Sequence, residues 1–206
     1  MMASKAFDFT TKELSLKTLP DFEKLLDSHP APGAAGCWCL YHHRPTGLPQ
    51  SEYKIPRAER AARNRAAKRK LVEDGCAHGM LVYADGEPVG WCQFGLKDEL
   101  PRMDNLSPYR KLAADRDAPK LWRITCFVVD RKFRGQGVAK IALKAALEAI
   151  RKKGGGVVEA YPIAHWRAYT SYRGTVTMFK QAGFEVVAPL TPELVLMRKR
   201  IRARAA

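Results

Sequence analysis

The stretch at residues 125–140, TCFVVDRKFRGQGVAK, decides the fold. An apolar run ends at Asp130, a turn rich in arginine and glycine follows, and an amphipathic segment begins at Val138. Glycines at 135 and 137 allow the backbone to turn tightly and to approach a ligand closely. The stretch therefore predicts a buried strand, a tight turn and a helix, in that order.

The same turn has the chemistry of an anion-binding site. The first N–H groups of a helix have no partner within it, and the helix dipole adds partial positive charge there. Arg131 and Arg134 add two full charges. The turn lacks the Gly-Lys-Ser/Thr of a Walker loop and the third glycine of a dinucleotide fingerprint. From these residues alone, a phosphate-binding turn and a plain tight turn are equally open.

The flanking patterns predict an α/β chain with at least one parallel crossover. Apolar runs around Asp85-Gly86 predict a β-hairpin. Residues 96–120 form a long connection, which is typical of a functional loop, with a short helix beginning at Ser107. The remaining predicted strands are 36–43, 121–130, 157–161, 184–188 and 194–198, and the predicted helices begin near Leu19 and cover 57–74, 138–153 and 175–182.

Composition limits the possible classes of protein. The 206 residues are 46% hydrophobic, which suits one domain spanning 1–206, and no apolar run is long enough to cross a bilayer. The net charge of +15 implies an anionic partner. The odd number of cysteines and the absence of a signal-peptide core lead us to expect a cytoplasmic protein with free thiols and no membrane partner.

Three segments resemble one known family. Residues 134–139, RGQGVA, resemble the R/Q-x-x-G-x-G/A signature of the GNAT family of N-acetyltransferases. The later stretch MFKQAGFEVV resembles the closing helix, Gly-Phe turn and strand of that family, and LVYADGEPVGWCQF resembles its central hairpin. The resemblance covers roughly residues 78–198, so that residues 1–77 would supply N-terminal strand and helix elements of the acceptor site.

This resemblance implies a fold and a donor. The fold would be a mixed, mostly antiparallel central sheet with flanking helices, in which the parallel strands at 121–129 and 157–161 splay apart. The donor would be acetyl-CoA or a larger acyl-CoA, with its pantetheine arm along the strand and its pyrophosphate on the turn. The residues implied to bind it are Phe127, Val128, Val129, Arg134, Gly135, Gln136, Gly137, Val138, Ala139 and Lys140.

Acetyl transfer to an amine needs a base for the amine and often an acid for the leaving thiolate. The family often has a tyrosine acid where this chain has Phe179, and frequently an asparagine where it has Tyr172. Glu159 and Tyr161 are two apart on one predicted strand and so share a face. We therefore predict Glu159 as the base and Tyr161 or Tyr172 as the acid. The alternatives are an ion pair for Glu159, packing for the tyrosines, and a reaction with no dedicated acid.

The expected acceptor is the primary amine of a small molecule. Trp38, Tyr41 and Arg123 are predicted to line its pocket, with His42, Trp122, His165 and Trp166 as further candidates. A protein or peptide amine is the first alternative. The spacing of Cys37, Cys39, His42 and His43 fits no zinc pattern, so that no metal is expected.

Two alternatives from other classes stay open. One is a basic nucleic-acid-binding module, since residues 57–70 contain seven Lys or Arg against one Glu; we do not favour it, because no aromatic residues are interleaved for base stacking. The other is an acyl-CoA sensor without activity. A homodimer is common in the family and is possible here.

Overall fold

The computed structural model describes residues 7–28, 36–47, 54–112, 118–164 and 172–204. Seven strands form one sheet in the order β1-β2-β3-β4-β5-β7-β6, and only the β4–β5 pair is parallel. The strands are β1 Phe9–Glu13, β2 His78–Ala84, β3 Glu87–Leu96, β4 Leu121–Val129, β5 Gly156–Ala160, β6 Glu185–Thr191 and β7 Leu194–Ile201. The predicted mixed, mostly antiparallel sheet is confirmed; β1 is a strand that the sequence analysis did not find.

Helices cover both faces of the sheet. They are α1 Leu19–Asp27, α2 Arg57–Glu73, the short α3 Ser107–Arg110, α4 Val138–Lys152 and α5 Val176–Gln181, with 3-10 turns at Pro101–Asn105 and Arg131–Phe133. The predicted helices are thus present to within two residues at each end. Within the described ranges, no helix combines the length and the apolar character needed to span a membrane.

The amphipathic helix α4 packs on the face of the sheet that carries the larger core. Its buried residues join Val82 of β2, Phe94 of β3 and Trp122 of β4. The start of α4 approaches β3 closely, because a Cβ added to Gly90 would lie 2.3 Å from Cγ1 of Val138. Glycine at position 90 therefore fixes where the helix begins relative to the end of β4.

The opposite face is covered by α1 and by the segment before α2. Phe22 of α1 packs against Trp91 of β3, with ring centroids 4.6 Å apart. In the basic helix α2 only Asn64 and Lys68 are buried. Most of its charge therefore faces solvent. The helix is favoured by the high helix propensity of its Ala, Arg and Lys residues rather than by the burial of a large apolar face.

The predicted strand at residues 36–43 is wrong. The segment consists of turns, with backbone hydrogen bonds from Leu40 to Cys37 O and from His43 to Leu40 O, both of 3.0 Å. Trp38 and Cys39 have φ of 52° and 48°, a left-handed conformation that no strand contains. Consecutive residues Trp38, Cys39 and Leu40 are all buried, whereas the predicted alternation would have placed neighbours on opposite faces.

Candidate active site

The parallel strands β4 and β5 separate at the centre of the sheet. Four residue pairs join them, and the last is Ile124 with Ala160. Beyond that pair β4 continues to Val129 with its other edge on β3, and within the described residues the edge of 125–129 that faces β5 has no strand partner. After β5 ends, Ile163 forms two isolated β-bridges. One is parallel, to Thr175 on the side toward β4, and the other is antiparallel, to Leu194 on the side toward β7. The two strands therefore form the predicted V-shaped opening.

The glycine turn lies at the far end of this free edge. Asp130 caps the 3-10 turn by accepting a 2.8 Å hydrogen bond from the Lys132 N–H. Gly135 and Gly137 have φ of 77° and 81°, and Gly137 is the N-cap of α4. A Cβ added at either glycine would meet nothing within 4 Å, and the first turn of α4 has no acidic residue. The turn is thus open and positively polarised, as an anion site requires.

The residues implied to bind the donor follow one path. Phe127 and Val128 have buried side chains, so that only their backbone is available at the free edge. Val138 is buried under the turn, whereas Arg134, Gln136 and Lys140 are exposed. An elongated ligand with backbone hydrogen-bonding groups at one end and phosphates at the other fits this path. These residues would hold acetyl-CoA, which supplies the activated acetyl group.

Glu159 lies where β4 and β5 are still paired, one residue pair before the two strands separate, and it is completely buried. Its Oε2 accepts hydrogen bonds from the hydroxyls of Tyr109 at 2.7 Å and Tyr161 at 2.6 Å. Its Oε1 accepts from Nε of Arg198 at 2.9 Å, with Nη2 of the same arginine at 2.7 Å. Both carboxylate oxygens are therefore occupied by protein donors.

The two tyrosines in this network are held in their protonated form. Burial, together with the negative charge of Glu159, raises the pKa of Tyr109 to about 12. Burial is also the main cause that raises the pKa of Tyr161 well above its usual value, with Glu159 adding to it. Tyr161 is a hydrogen-bond donor at neutral pH, which is the state that its predicted role as an acid requires.

Arg123 is fully buried beside Glu159 and is held on three sides. Its two Nη atoms donate to the Asp104 carboxylate at 2.9 and 2.7 Å, and Nη1 also donates to Leu100 O at 2.8 Å. Nη2 donates to the Tyr109 hydroxyl at 3.1 Å. Most of its N–H groups are thus bonded within the protein. The predicted effect of Arg123 on a substrate would therefore come from its positive charge rather than from hydrogen bonds.

The other predicted residues are spread over the site. Phe179, at the family's tyrosine position, is buried against Phe127 and Phe184 and offers no proton. Tyr172 is half-buried, and its hydroxyl accepts a 3.2 Å hydrogen bond from Nε of Arg173. Tyr172 does not contact the Glu159 network in the described residues. His165 and Trp166 lie outside the described residues.

The pocket residues predicted from the N-terminal segment separate into two groups. Trp38 is buried against Phe22, with ring centroids 6.1 Å apart. Tyr41 is 42% exposed, and the guanidinium of Arg102 lies 4.2 Å from its ring centroid. Tyr41 is therefore exposed, while Trp38 packs in the core.

His43 is engaged by its neighbours. Its Nδ1 lies 2.9 Å from Glu99 O and so carries the proton, which leaves Nε2 to accept from the Gln93 amide at 3.0 Å. The part of the chain that the structure describes contains no cluster of three or more potential metal ligands.

Sequence reasoning missed Tyr109, Asp104, Arg198 and Arg102, whereas His42 was already a pocket candidate. Tyr109 and Asp104 belong to the long 96–120 connection, whose placement no local pattern indicates. The observation that could have pointed to them was the need of a buried Arg123 and Glu159 for partners of opposite charge.

Comparison with known proteins identifies the fold. The model of the acetyltransferase (GNAT) family matches residues 40–184. The ribosomal-protein-S18-alanine N-acetyltransferase of Escherichia coli is 12% identical over 97% of both chains, with a TM-score of 0.50. An acetyltransferase of Thermus thermophilus is 14% identical over 94% of this chain and 97% of its own, with a TM-score of 0.52. An agmatine N-acetyltransferase variant without ligand is 13% identical over 94% and 100%, with a TM-score of 0.55.

No curated protein sequence matches this chain. At such low identities the solved structures support the fold alone, and the family match, which covers well over half of the chain, supports the family. The separated β4–β5 pair and the open glycine turn at the start of α4 agree with both. The chain therefore belongs to the GNAT family and is an acetyltransferase.

Proposed function

We propose that the protein transfers the acetyl group of acetyl-CoA to the primary amine of a small molecule. The amine nitrogen loses a proton and forms a bond to the thioester carbonyl carbon, the C–S bond breaks, and the sulfur takes up a proton and leaves as the thiol of CoA. The observation that carries the proposal is the free edge of residues 125–129 leading directly to the open turn at Gly135 and Gly137.

A compact acceptor is supported by the cover over the opening. The turns at 36–47 are tied to the 3-10 turn after β3 by hydrogen bonds from the Arg102 N–H to His42 O and from the Asn105 side chain to Pro45 O. This cover closes one side of the sheet beside Arg123. A site bounded on one side by such a cover suits a small molecule better than an extended chain.

We propose Tyr172 as the acid that protonates the leaving thiolate. Its support is that it is half-buried and next but one to Gly174, whose added Cβ would lie 3.3 Å from the Phe127 ring at the donor edge. The assignment of Glu159 as base and Tyr161 as the alternative acid stays a prediction, supported by their position beside the last parallel pair.

The donor site is tested by thermal unfolding with and without acetyl-CoA. Gly137→Glu places a negative charge in the turn, and Gly75→Glu is its matched control. Both glycines have positive φ and open space around an added Cβ, but Gly75 follows α2 at the opposite end of the sheet. Both variants should lose similar stability, because both strain a left-handed residue.

Acetyl-CoA at a hundredfold excess over its Kd should stabilise the wild type and Gly75→Glu by about 2.7 kcal/mol, and Gly137→Glu by much less. Equal stabilisation of both variants would remove the turn from the donor site, and no stabilisation of the wild type would overturn the proposal. Free-thiol release with a panel of amines then identifies acceptors. Tyr172→Phe should lower kcat with every acceptor while acetyl-CoA still stabilises the protein.

A further inference from the structure

His42 is a buried polar residue without a partner. It is 2% exposed, and neither ring nitrogen has a hydrogen-bond partner among the described residues. Burial, followed by the positive charges of Arg173 and Arg102, lowers its pKa well below the usual value, so that the ring is neutral and still carries one N–H donor. An unsatisfied buried donor is unfavourable, and a ligand that accepts a hydrogen bond would remove that penalty.

Two arginines whose charges act on this ring lack a carboxylate partner among the described residues. The guanidinium of Arg102 stacks on Tyr41 and donates to its hydroxyl at 3.2 Å. Arg173 donates from Nε to Tyr172, while its Nη1 is buried without a partner. The binding partners of both guanidiniums are thus phenols, which do not neutralise their charge.

The other two arginines of this region are paired with carboxylates, unlike Arg102 and Arg173. Arg123 is paired with Asp104, and Arg198 with Glu159. Four arginines against two carboxylates leave a surplus of two positive charges, and the neutral His42 adds none. Two like charges near a buried N–H without a partner are unfavourable, and an anion bound to these groups would offset that cost.

The cluster borders the opening between β4 and β5. Arg123, which acts electrostatically on His42, lies on β4 one residue before the strands separate. Arg173 precedes Gly174 and Thr175, and Thr175 bridges to Ile163 on the side that faces β4. An anion held by this cluster would therefore sit beside the point at which the acetyl group must be transferred.

We propose that the acceptor is an amine that also carries a carboxylate, which Arg102, Arg173 and His42 bind while the amine faces the opening. This inference rests on the proposed function. Guanidinium forks match the planar geometry of a carboxylate, and such charge-assisted hydrogen bonds are about twice as strong as neutral ones. The overall charge of +15 favours the approach of an anionic acceptor.

The test uses amino acids of several chain lengths, each beside its own carboxamide, with free-thiol release from acetyl-CoA as the readout. For the best amino acid, the wild type should show a KM at least about tenfold lower than for the corresponding carboxamide. Arg102→Gln and Arg173→Gln should bring the two KM values together. Arg151→Gln is the control, because Arg151 is an exposed residue of α4 that pairs with Glu148; it should keep the preference.

A second readout does not depend on turnover. N-acetylated amino acids should raise the unfolding temperature of the wild type more than the N-acetylated amides do, and the two arginine variants should lose this difference. Equal effects of acids and amides would overturn the inference, as would a stronger preference for amines bearing a phosphate. If acetyl-CoA fails to stabilise the protein while the acids still do, the proposed function fails and the carboxylate site stands.

Discussion

Arg123 of β4 and Glu159 of β5 face each other in register, one pair before the two strands separate. Their Nε and Oε2 atoms lie 3.8 Å apart, and neither side chain is exposed. Each is held by partners from distant parts of the chain, Arg123 by Asp104 and Glu159 by Arg198. The geometry of the opening therefore depends on a buried ionic network at its vertex.

Glu159→Gln should destabilise the fold by about 3–5 kcal/mol, because it leaves two buried guanidiniums without their shared carboxylate. Urea unfolding measures the loss. The double variant with Arg198→Met should lose less than the sum of the single variants, because their effects couple through one ion pair. Additive losses would contradict the network.

The same variant separates catalysis from positioning. If Glu159 is the base, Glu159→Gln should lower kcat by about 10²–10⁴-fold while acetyl-CoA still stabilises the protein. A residue that only positions Tyr161 and Arg198 would change KM or stability and leave kcat nearly unchanged.

The strand, the glycine turn and the helix start of the candidate donor site were predictable because their signals are local. The strand, the glycines and the helix start are contiguous at 125–140, and Gly137 has the left-handed conformation that its identity suggests. The network around Glu159 was not predictable in this way. Tyr109 comes from the long connection and Arg198 from the last strand, so that only tertiary packing brings them to Glu159.

The segment at 36–43 shows why an apolar pattern can mislead. Its alternation of cysteines with larger side chains is typical of a strand, but the turns allow Trp38, Cys39 and Leu40 to be buried in succession. Tertiary packing against α1 and β3 overrides the local preference. The clustering of His42 with arginines from two later segments follows from these turns.

His43 should make the protein sensitive to acid. Burial, with the charge of Lys68 adding to it, lowers the pKa of His43 to about 3, below the usual 6.5. Below pH 6.5 the imidazole of His43 therefore binds a proton in the unfolded chain but not in the folded chain. The free energy of unfolding decreases as the pH is lowered from 6.5 to about 3. At pH 5 this amounts to about 2 kcal/mol.

Urea unfolding between about pH 7.5 and 4.5 tests this effect. His43→Gln keeps a donor for Glu99 O and an acceptor for the Gln93 amide, but it does not titrate. Its stability should fall less steeply with acid than that of the wild type. Parallel curves for the two proteins would rule out His43 as the cause.

Lys68 is a second buried group that opposes folding at neutral pH. It is fully buried on α2, and Nζ contacts Nε2 of His43 at 3.4 Å without a carboxylate partner in the described residues. Burial lowers its pKa. Below 10.5 the unfolded chain binds a proton more readily than the folded chain, so that the stability contributed by this group rises with pH up to that value.

Lys68→Met should therefore stabilise the protein at neutral pH by about 1 kcal/mol or more. The difference from the wild type, measured by urea unfolding, should shrink as pH approaches 10.5. A loss of stability at neutral pH would instead show that the ammonium is paired with a nearby thiolate, for which Cys39 is the candidate.

Cys39 and Cys126 should form a disulfide under mild oxidation. Their sulfur atoms are 3.6 Å apart, and the hydrogen bond between the two sulfurs, with the charge of Lys68 adding to it, lowers the pKa of Cys39. Diamide would take two electrons and two protons from the pair and become the hydrazine. Peptide mapping without reductant should find this pair, and Cys126→Ser should prevent it, while Cys76, at the end of α2, stays unpaired.

The disulfide would join the turns at 36–47 to the central strand β4. Because it closes a loop of 87 residues, it should stabilise the fold by about 4.6 kcal/mol if the sulfurs approach without strain. It should also fix the distance between the turns at 36–47 and β4. The rate of acetyl transfer should therefore fall on oxidation and recover when a reductant is added. Oxidation that links other cysteines, or that leaves Cys39 free, would show that the thiolate is not accessible to the oxidant.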